Sequence, residues 1–93
     1  MHVYELNPMF NSRKSFYGKA VVEEDPKTGD LTLKSYGTRV AVIAAPRFHG
    51  EERKLRVFGT YSVTTLRHIK EFMKQNGYPL MSKKKIMETY CVR

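Results

Sequence analysis

Residues 59–77 read GTYSVTTLRHIKEFMKQNG, and the periodicity of this stretch decides the fold class. Leu66, Ile69, Phe72 and Met73 recur at helical spacing and make one apolar stripe, while Arg67, Lys70, Glu71, Lys74 and Gln75 stay off it. Ser62, Thr64 or Thr65 can cap the start by accepting a backbone N–H, and Asn76-Gly77 supplies the left-handed residue that ends a helix. Pro79 blocks simple continuation. The spacing predicts an amphipathic helix over 62–77, which needs an apolar surface to lie on.

That surface is written upstream, where the period is two. Residues 16–23 (FYGKAVVE), 31–36 (LTLKSY), 39–45 (RVAVIAA) and 54–58 (KLRVF) are rich in β-branched and aromatic side chains and read as strands. Asp25-Pro26-Lys27-Thr28-Gly29-Asp30 supplies the angles of a reversal, Gly37 breaks the second strand, 46–52 form a loop, and Gly59 closes the fourth strand. Short strands joined by short loops favour antiparallel neighbours. Residues 1–15, with Asn7, Pro8, Asn11 and Ser12, show no sustained period and read as an irregular arm. The prediction is one α+β domain over 1–93: an antiparallel meander of about four strands over 16–58, packed on the main helix, then a short helix over 82–91.

Alternation assigns each strand two faces. One collects Phe16, Ala20, Val22, Leu31, Leu33, Val40, Val42, Leu55 and Val57 and is the expected seat of the helix. The other collects Tyr17, Lys19, Val21, Thr32, Lys34, Tyr36, Arg39, Ala41, Ile43, Lys54, Arg56 and Phe58, in which cations and rings alternate. Open sheets that bind nucleic acid use that combination, because rings stack on bases while Lys and Arg meet phosphate. Ordinary cross-strand pairing on a solvent face uses it too. Val21, Ala41, Ile43 and Phe58 also form an apolar centre that the second helix can cover through Ile86, Met87 and Tyr90.

Seventeen Lys and Arg against nine Asp and Glu give a net charge of +8, an excess that favours phosphate-rich or acidic partners. Cys91 is the single cysteine, which excludes an internal disulfide and a cysteine-rich zinc site. His2, His49 and His68 fall on arm, loop and helix, and no carboxylate pair joins them, so neither a metal nor another cofactor is expected. Residues 1–10 do not read as a signal peptide, and the apolar run 40–46 is too short to span a bilayer. A soluble, intracellular setting without membrane contact is expected. Ser62 with His68, six apart on a helix, makes a poor nucleophile–base pair, and the reading is non-enzymatic. Lys83, Lys84 and Lys85 stand where the helix dipole disfavours cations by a few tenths to ~1 kcal/mol each; a polyanion would relieve that cost.

The segments SFYGKA (15–20), LKSYGTRVAVI (33–43) and GTYSVTTLRHIKEFMKQNGY (59–78) carry a likeness over most of 7–81. Through Ser35, Tyr36, Thr38, Val40 and Ala41, then Tyr61, Ser62, Thr64, Thr65, His68, Ile69 and Phe72, and finally Asn76, Gly77 and Tyr78, the chain resembles a family of small proteins of unknown function. Its members occur in bacteriophages and mobile elements of Gram-positive bacteria. The charged segment 46–54 (PRFHGEERK) departs from that pattern. The resemblance implies no catalytic activity. It implies a phage or mobile-element setting, where small accessory proteins bind DNA or RNA or block host defence enzymes. The outer sheet face then supplies the expected nucleic-acid contact, with Lys19, Lys34, Arg39 and Arg56 on phosphate, Tyr17 and Tyr36 on bases, and Arg67, His68, Lys83, Lys84 and Lys85 extending the path. The alternative is a protein-binding inhibitor of a host defence nucleoprotein, such as a CRISPR effector, docking through Arg47, Phe48, Arg53 and Lys54. A homodimer through an exposed strand edge is compatible with both.

Overall fold

The structure is a computed structural model that describes residues 2–7, 16, 18–46, 50, 52–58, 62–79 and 81–90. Five strands, β1 (His2–Glu5), β2 (Ala20–Glu24), β3 (Leu31–Ser35), β4 (Thr38–Ala44) and β5 (Lys54–Val57), form one antiparallel meander in chain order. Two helices follow, α1 (Val63–Gln75) and α2 (Lys83–Tyr90). The fold is α+β, as the two periodicities require.

One strand more is present than the pattern predicts. His2–Glu5 pairs with β2 in the register Tyr4↔Val22, and Leu6 continues it by donating to the Ala20 carbonyl at 2.9 Å. A four-residue strand whose side chains are all exposed carries no hydrophobic alternation, so residues 2–5 resemble an arm in sequence and are a strand in space. β2 begins at Ala20 and not at Phe16 because the chain turns at Gly18, whose φ is +74° and whose N–H donates to Glu5 Oε1 at 2.8 Å.

The turns carry the chemistry their residues imply. Between β2 and β3, Asp25 Oδ1 accepts from Lys27 N at 2.8 Å and the Asp25 carbonyl accepts from Gly29 N at 2.7 Å, the self-bonded turn typical of Asp. Between β3 and β4 the loop is two residues, Tyr36 and Gly37, with φ of 53° and 80°. Positive φ at both positions is what a hairpin turn of matching twist demands, and Tyr36 meets that demand without glycine's freedom.

A bulge in β4 changes which side chains face the core. Leu33 pairs with Ala41 but Lys34 pairs with Arg39, so Val40 is the extra residue. Val40 and Ala41 are both buried, and beyond them the parity is reversed: Ile43 faces inward with Leu31 and Leu55, while Val42 faces outward beside Arg56. The expected placements of Val42 inside and of Ala41 and Ile43 outside are therefore corrected. One inserted residue exchanges the two faces of everything after it.

The inner face of Ala20, Val22, Leu33, Ala41, Ile43, Leu55 and Val57 is covered by both helices. Ile69, Phe72 and Met73 of α1 and Ile86 of α2 join the same buried cluster, with α1 against β3 and α2 against β5. Each large apolar side chain taken fully out of water contributes about 1.5–3 kcal/mol. Ser62 caps α1 by accepting from Thr65 N at 3.3 Å. At its far end Tyr78 N donates to Met73 O at 2.9 Å and Gly77 N to Lys74 O at 3.2 Å, with Gly77 at φ +86°, a complete Schellman ending. Ser82 caps α2 in the same way through Lys85 N.

Candidate nucleic-acid interface

The face of the sheet away from the helices is built in two halves. On the β4–β5 half, Lys54 and Arg56 are exposed on β5, and Arg39 is exposed on β4 opposite Lys34. The Arg39 guanidinium carbon lies 5.1 Å from the centre of the Phe58 ring, within cation–π range. These three cations rim an open concavity of about 520 Å³ whose floor is Val42, Ala44, Ala45 and Phe58. The bulge creates this floor, since it is what turns Val42 outward.

The β1–β2 half carries the opposite sign. Glu23 faces outward and its Oε2 lies 3.1 Å from Lys34 Nζ, while Glu5, paired with Val21, bonds Gly18. Lys34 thus points outward as expected, but a carboxylate already sits on its ammonium. Carboxylates gather at β1–β2 and cations at β4–β5, with Lys19, just before β2, as the exception.

The remaining predicted contacts divide as follows. Lys19 is exposed and outward, its carbonyl accepting from Tyr36 N at 2.8 Å. Tyr36 is exposed, yet its left-handed backbone takes it out of the strand alternation, and its ring lies 5.9 Å from the ring of His68. It is corrected from the outer row to the α1 side. Arg67 is half-buried on α1, and Lys83, Lys84 and Lys85 are exposed on the first turn of α2, so these four belong to the helical layer and not to the outer sheet face. Tyr17, Arg47 and Phe48 lie outside the described residues, while Arg53 is exposed just before β5.

His68 is not available as a surface contact, because it is 1% exposed. Its Nδ1 lies 2.8 Å from Ser35 Oγ, which is also 3.1 Å from Thr65 Oγ1. Ser62 Oγ donates to the Thr65 hydroxyl at 3.3 Å, and the Phe16 and His68 rings pack steeply inclined with their centres 4.5 Å apart. A hydroxyl beside an imidazole has the composition of a nucleophile–base pair. Both side chains are shielded from solvent, Ser35 at 2% exposure and His68 at 1%. The cluster instead fixes α1 to β3 through satisfied buried hydrogen bonds. Sequence reasoning missed Ser35 as the partner of His68, although two signals were present. Ser35 shares the inward parity of Leu31 and Leu33, and Ser62, Thr65 and His68 recur every three residues along one helix face.

Among the described residues, no group of three or more His, Cys, Asp or Glu side chains is placed to hold a metal ion, and no helix is long and apolar enough to cross a membrane.

A five-stranded meander with both helices on one face and a cation-rimmed hollow on the other defines a small basic α+β sheet protein. The chain belongs to a family of unknown function (DUF8033), whose model matches residues 4–88. No curated protein and no solved structure matches it.

Proposed function

We propose that this is a non-enzymatic nucleic-acid-binding protein and that the outer face of β4 and β5 is its contact surface. The observation that carries the reading is the exposed rim of Arg39, Lys54 and Arg56 around an apolar floor, on the face the helices leave open. A net charge of +8 supplies long-range attraction for a polyanion. Arg39 and Arg56 add the planar donor forks that suit phosphate, and Phe58 adds a ring. Lys34, neutralised by Glu23, has a lesser part than its position in the sequence suggests. The likeness carried by Ser35, Tyr36 and Thr38 and by Thr64, Thr65 and His68 supports a setting in phages or mobile elements, where the protein would act in the bacterial cytoplasm.

Salt dependence tests the reading. Three phosphate contacts give a slope of about −2 to −3 in log affinity against log salt, a loss of roughly 20- to 40-fold for a fourfold rise in salt. An affinity indifferent to salt contradicts phosphate contact. In a pull-down from nuclease-treated lysate, loss of the bound material supports the proposal. A protein partner retained after that treatment would assign the face to a host protein, the inhibitor reading, with Arg53 and Lys54 as contacts.

A further inference from the structure

We infer that the outer-face site takes a single strand of nucleic acid laid along β5, and not a duplex laid across the sheet. The inference rests on the reading above that this face binds nucleic acid, and it names the substrate class.

The cations stand in one file. Lys54 and Arg56 are two residues apart on the edge strand, so their Cα atoms are about 7 Å apart on the same face. Phe58 continues the row, and Arg39 closes it by leaning on the Phe58 ring. One file of donors matches one phosphodiester backbone.

A duplex presents two backbones, and the sheet is charged against the second. β2 lies three strand spacings from β5, about 14 Å, which is comparable with the ~12 Å major groove that separates two phosphate files. At that distance the face offers Glu23, already holding Lys34, and then Glu5 on β1, against the exposed cation Lys19 at the end of the strand. A second file of phosphates laid across the strands meets carboxylates there.

The floor points the same way. Val42, Ala44 and Phe58 present apolar surface and a ring between the cations. Paired bases hide their faces in the stack, whereas unpaired bases offer them to rings and guanidinium planes. A phosphate-only contact to duplex would leave this floor unused.

The experiment is a fluorescence-anisotropy comparison at about 50 mM salt. It uses DNA and RNA single strands of about 12 nucleotides, of one mixed sequence, and the corresponding blunt DNA duplex. The expected result is binding of at least one single strand about tenfold or more tighter than the duplex, the better of DNA and RNA identifying the source. Phe58→Leu keeps the apolar bulk and removes the ring; it should weaken single-strand binding roughly fivefold or more, the lower end of base–ring stacking, and leave the duplex unchanged. Exposed Arg56→Ala, checked for native circular dichroism, should weaken the single strand without disturbing the fold. Equal or tighter duplex binding, or Phe58→Leu and Arg56→Ala without effect on the single strand, overturns the single-strand inference while the broader reading stands. No binding of any of the three probes overturns both.

Discussion

Ser35, Thr65 and His68 on one side of the sheet and Arg39, Arg56 and Phe58 on the other are both clusters of polar and aromatic side chains, and they differ in what can reach them. The first is sealed between β3 and α1, with His68 at 1% exposure and every described buried side-chain nitrogen and oxygen hydrogen-bonded. The second is open, with its cations in water and its floor half-buried. Ser35, Thr65 and His68, three of the residues that carry the sequence likeness, sit in the sealed cluster, where they hold helix to sheet. Those motif residues fix the fold, and exposure marks where a partner can land.

Substitutions can separate the two clusters or merge them. Phe72→Ala, at 0% exposure on the buried face of α1, should cost about 3–5 kcal/mol, a large share of the stability of a chain this short, and urea unfolding would show a collapsed midpoint. Ser35→Ala should cost about 1–3 kcal/mol by leaving Thr65 and His68 short of a buried partner. Oligonucleotide affinity of the folded protein should not change, and an equal loss of affinity would erase the distinction between the two clusters. Gly37→Ala meets no atom within 4 Å, so its cost of about 1 kcal/mol comes from φ +80° alone. Arg56→Glu should move stability by less than about 0.5 kcal/mol while abolishing nucleic-acid binding, the inverse of Ser35→Ala.

The smallest expected effect is alkaline. Burial, and then Tyr90, raise the Tyr78 phenol above 10.0, with Arg53 opposing and Glu52 adding; burial and then Glu24 raise Tyr4. A raised phenol keeps its proton longer in the folded chain than in the unfolded one. The stability it contributes is therefore complete below pH 10 and is lost as the pH climbs through the folded value. Tyrosine absorbance titration should show these two groups ionising late, and Tyr90→Phe should move Tyr78 part of the way back.

Much of the architecture was legible from the chain. The 3.6-residue stripe of α1, a cap among Ser62, Thr64 and Thr65 and the Asn76-Gly77 end are local signals; local hydrogen bonds realise them and select Ser62 as the cap. The core positions of β2, β3 and β5 follow from strict alternation. Two features were not legible. β1 has no buried side chain of its own within His2–Glu5, so its pairing is decided by the edge of β2 and leaves no mark on its composition. The β4 bulge at Val40 occurs inside an unbroken apolar run, where a skipped residue changes nothing that a hydrophobicity pattern can register. That one residue redrew the candidate surface, because it brought Val42 out beneath Arg56 and took Ala41 and Ile43 in. Lys34 was placed correctly, but its neutralisation by Glu23 depends on the pairing of β2 with β3, which spacing alone does not give.

The most direct test of the account is to add a single-stranded oligonucleotide to isotope-labelled protein and follow the backbone amides by NMR. The account predicts that amides of residues 38–45 and 54–58 shift in proportion to bound ligand, while those of α1 around Thr65 and His68 hold still. Shifts confined to the helices, with β4 and β5 silent, would contradict it.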